Sequence, residues 1–124
     1  MPENDLPPPI EQASLLNLRT IGGDDDAFVT EIVQMFREDT PPQFVELADC
    51  VAQSDAVRLG KVAHSMKGSA GNFGAKHFRH LAEAIEAIAK SGHLAAAPAA
   101  IAALRTEYER VLAALAAALP PAQL

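Results

Sequence analysis

The 124-residue sequence has no tryptophan, a single tyrosine, and aromatic residues at only 5%. Alanine and leucine dominate its last third instead, which favours helices over a β-sandwich or barrel. One cysteine, Cys50, excludes an internal disulfide and fits a reducing, cytoplasmic setting. Basic residues are the minority, ten Lys and Arg against sixteen Asp and Glu, for a net charge of −6. Without a basic stripe to neutralise phosphates, nucleic-acid binding is not expected, whereas mild acidity suits a soluble protein that meets other proteins. No basic region followed by an apolar run marks a signal peptide. Arg105, Glu107, Glu109 and Arg110 interrupt the alanine-rich region, so membrane insertion is not expected. The chain also lacks a glycine-rich phosphate loop or other nucleotide-binding module, and with it any visible means of using ATP.

What is present reads as one helical domain. Residues 1–9, with Pro2 and Pro7-Pro8-Pro9, form a flexible, extended tail, either an added remnant or the end of a linker from a larger protein. The domain spans 10–119, and Pro120-Pro121 opens a short C-terminal tail, 120–124. Ile10 to Thr20 predicts a short helix capping one end, broken by Gly22-Gly23. Asp24, Asp25 and Asp26 open the next helix, where carboxylates suit the first turn, and Phe28, Ile32, Met35 and Phe36 supply its buried stripe. Thr40-Pro41-Pro42-Gln43 has the signature of a further helix start, with Phe44, Leu47, Ala48 and Val51 facing inward. Ser54 is the expected cap of a helix running to about Ala70, and Phe73 is expected to plug the end of the core. Another helix covers Ala75 to Lys90, and a last one, from about Leu94 to Leu119, carries Ile101, Leu104, Tyr108, Val111, Leu112 and Leu115. The fold class is all-α: an antiparallel four-helix bundle with an additional short N-terminal helix.

The stretch Ala63 to Ala75 stands out. With His64 at 0° on a helical wheel, at roughly 100° per residue, Leu59, Val62, Met66, Ser69 and Ala70 fall on the far side. Val57, Gly60, Lys61, Lys67, Gly68 and Gly71 surround the histidine, which should project into solvent. A glycine inside a helix costs about 1 kcal/mol relative to alanine. Gly60 and Gly68, one turn either side of His64, suggest that a second surface comes close to the imidazole. Lys67 adds a mobile positive charge. An exposed, uncrowded imidazole beside a cation suits a nucleophile that accepts an anionic group such as phosphoryl.

His64-x-x-Lys67-Gly68-Ser69-Ala70-x-x-x-Gly74-Ala75 resembles the phosphoacceptor motif of histidine-containing phosphotransfer (HPt) domains. Leu18, the Gly22-Gly23-Asp24 turn, Phe28, Ile32, Phe36, Thr40-Pro41, Leu47, Asp55 and Leu59 precede it in the family's usual order. Phe78, Leu81, Ala82 and Ile85-Glu86 follow it, so the likeness covers roughly Leu15 to Leu115. Phe73 is a conservative departure, where an aliphatic residue is common.

The resemblance implies a phosphorelay intermediate rather than an enzyme. His64 would accept a phosphoryl group from a receiver-domain phosphoaspartate, or from a histidine kinase, and pass it to the aspartate of a response-regulator receiver. Lys67 would stabilise charge, helped by Lys61, and Gly68 would give access. Val57, Gly60, Lys61 and Gly71 would form the receiver docking face. No cofactor is expected in this chain, Mg²⁺ residing on the partner receiver; a hybrid histidine kinase of which this is one domain fits equally well. Two other readings compete: an HPt-like interaction module whose histidine is unused, and a metal-binding helical bundle drawing on His64 with His77, His80 or His93.

Overall fold

Five α-helices account for most of the described residues, 6–119 of a computed structural model, and no strand occurs among them. They are α1 (Gln12–Ile21), α2 (Asp26–Ala52), α3 (Ala56–Ala70), α4 (Lys76–Ser91) and α5 (Ala97–Ala118). Short connections turn each helix back on its predecessor. α2 to α5 close into an antiparallel four-helix bundle, in which α2 also packs on α5, and α1 lies across one end against α2 and the α3–α4 turn. No helix among the described residues is long and apolar enough to cross a membrane.

α2 departs most from the sequence reading. The expected helix start at Thr40 does not exist: α2 runs unbroken through Pro41 and Pro42. A proline inside a helix removes one amide donor and so frees the carbonyl four residues earlier. For Pro41 that carbonyl belongs to Arg37, and the Tyr108 hydroxyl of α5 donates to it at 3.4 Å. Both proline rings are exposed while Thr40 beside them is buried, so the rings lie on the solvent side of the helix. The buried stripe of α2 is Val29, Val33, Phe36, Thr40, Phe44, Leu47 and Cys50. Met35, expected inside, is 55% exposed, because Val29 and Val33 take the inward positions. Asp25 caps this helix by accepting from the Ala27 amide.

Aromatic rings join the helices at the centre. Phe36 of α2 meets Phe73, Phe78 and Tyr108 edge-on, with ring centroids 5.2, 5.8 and 5.3 Å away. Phe73 is fully buried, as its position after α3 predicts. It belongs to a 3₁₀ turn, Gly71–Phe73, that links α3 to α4 and ends at Gly74 with φ +63°. A side chain at Gly74 would be both strained and in collision with Glu11 and Ser14, so glycine is required there.

Residues 1–5 and 120–124, within the two expected tails, lie outside the described residues. Leu6 to Pro9 is non-helical, as prolines dictate, but it is not a free tail. The Pro7 carbonyl accepts from Arg110 Nη2, and Arg110 Nη1 sits 3.0 Å from each carboxylate oxygen of Glu107. Glu107 is only 3% exposed, so this ion pair is built into α5. Ile10 is buried, and Glu11 donates its amide to the Phe73 carbonyl while its carboxylate pairs with Lys76 at 2.8 Å. The segment thus straps α5 to the α3–α4 turn.

Candidate functional site

α3 begins at Asp55, whose side chain accepts from the Arg58 amide at 3.1 Å. The expected cap, Ser54, instead lies just past the end of α2 in the left-handed region at φ +54°, where its amide donates to the Val51 carbonyl. Arg58 fixes the start of α3 to α2 through Asp49 at 2.9 Å and Glu46 at 3.5 Å. Leu59, Val62, Ala63, Met66 and Ala70 are buried, which turns the opposite face outward as the wheel requires.

His64 stands on that outward face, 71% of its side chain exposed. Its Nδ1 lies 3.2 Å from Glu86 Oε2 on α4. An ionised carboxylate can only accept, so Nδ1 carries the proton and Nε2 is left with its lone pair towards solvent. Lys67 Nζ lies 2.9 Å from Glu86 Oε1 and 3.9 Å from Glu83. Oε1 is shut off from water and makes no well-directed hydrogen bond, so its partner is the ammonium charge rather than a donor geometry. Burial pushes the Glu86 carboxyl up, but the contacts and charges of Lys67 and His64 outweigh it and hold the group below its ordinary value. Glu86 is therefore ionised at neutral pH.

A groove of about 480 Å³ between α3 and α4 opens beside this cluster, lined by Ala56, Val57, Gly60, Lys61, His64, Glu86, Ala89 and Lys90. Val57, Gly60, Lys61 and His64, which the sequence places on one face, are thereby gathered with α4 as the neighbouring helix. Other expectations need correction. Lys67 is not a mobile charge: its side chain is 22% exposed and tied to Glu86. Gly60 is not open space, since an added Cβ would lie 3.3 Å from the Ala89 Cβ; its missing side chain lets α3 and α4 approach. Gly68, by contrast, faces nothing within 4 Å. Gly71 is exposed and on the same side of α3 by helical spacing, but it lies beyond the groove at the end of the helix.

The residue that sequence reasoning missed is Glu86, noted only as a flanking position, and with it Lys90. Their signal is a polar row at Glu83, Glu86 and Lys90 beside the buried Ala82, Ile85 and Ala89, but only the rotation of α4 about its axis aims that row at His64. His77 and His80 stack with centroids 6.5 Å apart. Among the described residues, no group of three or more histidine, cysteine or carboxylate side chains converges as a metal site would require.

Comparison with protein families matches residues 31–114 to the Hpt domain. Among solved structures, the chain is similar to histidine-containing phosphotransfer protein B from Pseudomonas aeruginosa PAO1. The two share 26% identity at a TM-score of 0.77, over 86% of this chain and 90% of that one. No curated protein matches.

Proposed function

The chain belongs to the Hpt domain family, phosphocarriers rather than kinases in two-component signalling, and from that premise we propose that His64 is the residue that carries the phosphoryl group. The observation behind this reading is the geometry of one side chain: an exposed imidazole whose Nδ1 is held by an ionised carboxylate and whose Nε2 is free. The Nε2 lone pair attacks phosphorus of a receiver's phosphoaspartate, the P–O bond to the aspartate breaks, and the aspartate leaves as a carboxylate. His64 becomes an N-phosphoimidazolium, and its positive charge falls against Glu86. The reverse step, towards a second receiver's aspartate, regenerates the neutral ring. Mg²⁺ held by the receiver supplies charge neutralisation at the transferring group.

Glu86 acts as a positioning residue through His64, fixing the ring and its tautomer. Lys67, held beside it, offsets part of the phosphoryl charge of about −1.5 to −2. Gly68 leaves the approach open where a side chain would meet nothing of this chain and so could only meet the partner.

Transfer from a phosphorylated receiver domain tests the reading directly. Wild type should take up label that is lost in acid and kept in base; His64→Gln should take up none while keeping its helicity, because the position is exposed. Gly68→Gln should fold and yet transfer at least tenfold more slowly through bulk at the approach, about 1.4 kcal/mol in the barrier. Label persisting on His64→Gln would refute the assignment.

A further inference from the structure

Resting on the phosphotransfer reading, we propose that Lys61 and Lys90 form a clamp on the two banks of the α3–α4 groove that takes acidic side chains of a receiver domain and seats it on the α4 side of His64. The sequence holds four lysines. Two are committed, Lys67 to Glu86 and Glu83, and Lys76 to Glu11. Lys61 and Lys90 are exposed, line the same groove from opposite helices, and make no ion pair with any described residue. Between them the floor is small and apolar, Ala56, Gly60 and Ala89, and Val57 at one edge is 71% exposed. A partner that fits has an apolar contact patch flanked by carboxylates.

The other bank of α3 does not offer this. There α2 presents Glu46 and Asp49, already neutralised by Arg58, and Gln43, whose amide reaches Ser65 at 3.4 Å. An acidic surface gains no free cation on that side. The chain as a whole carries −6, so such a surface meets like charge over most of the molecule. Screening confines each charge to about 10 Å at ordinary salt, and the carboxylate that lines the groove with the two lysines, Glu86, is already paired with Lys67. Charges at the rim of an interface act mainly on encounter rate and salt dependence, so the clamp should govern docking and leave the chemical step of bound partners alone.

Binding is read apart from transfer by using the full chain with His64→Gln, ¹⁵N-labelled and titrated with isolated receiver domains. Lys61→Glu and Lys90→Glu should each weaken binding roughly five- to tenfold at low salt, with the difference vanishing near 0.5 M salt. Arg37→Glu, the same charge change at an exposed α2 position in the cleft shared with α5, should stay within twofold. Equal weakening by Arg37→Glu, or no weakening by either lysine reversal, overturns the clamp. A wild-type chain that binds receivers in this lysine-dependent way but takes no label overturns the phosphoacceptor reading and leaves the clamp standing.

Discussion

Glu86 is pulled in two directions, and the balance has a measurable sign. Burial raises its pKa; the Lys67 and His64 contacts lower it further than burial raises it. A carboxylate whose folded value lies below its ordinary 4.5 contributes stability that is fully present above that value. The contribution is lost as pH falls through the lower, folded value. Urea midpoints recorded from neutral to acid pH should therefore fall more steeply for wild type than for Glu86→Gln, which should already be less stable at neutral pH. Coincident acid limbs would show that the cluster does not hold the carboxylate as described. His64 and Lys67 were legible from sequence because both sit on one helix, where 3.6 residues per turn fixes their relation. Glu86 was not, because its relation to His64 depends on how two helices are rotated against each other, and that is settled by which alanines and isoleucines of α4 are buried.

α2 shows the same limit for a whole element. Thr40-Pro41-Pro42-Gln43 carries the local signature of a helix start, yet the helix passes through it, because a hydroxyl 71 positions away satisfies the carbonyl that Pro41 frees. No local signal announces such a partner. Tyr108→Phe should cost about 1 kcal/mol by leaving the Arg37 carbonyl unmatched. Pro41→Ala returns an amide to that carbonyl, so in its background the same substitution should cost less than about 0.5 kcal/mol. Equal costs in both backgrounds, from urea unfolding of the four proteins, would sever the link. The other elements were more legible: the turn through Gly74 and the end of α4 at Gly92 follow from glycines in left-handed conformations.

At the scale of the molecule, the bundle is closed by contacts distant in sequence, and the strap from Pro7 to Arg110 spans 103 positions. Arg110→Met removes the cation from a carboxylate that is 3% exposed, and should cost about 3 kcal/mol. Replacing Glu107 and Arg110 together by apolar residues should recover most of that loss, since it leaves no buried charge unpaired. Thermal unfolding of the single and double variants distinguishes the buried pair from mere packing of the arginine stem.

The site is distributed differently from the stabilising contacts. His64, Lys67 and Gly68, together with Glu86 and the groove, all fall between Ala56 and Ser91, on two successive helices and the turn between them. The remainder of the chain supplies the wall behind that hairpin. The outward and the buried faces of this one hairpin are thus separable: substitutions at its exposed positions change what a partner meets and leave the contacts to the wall in place.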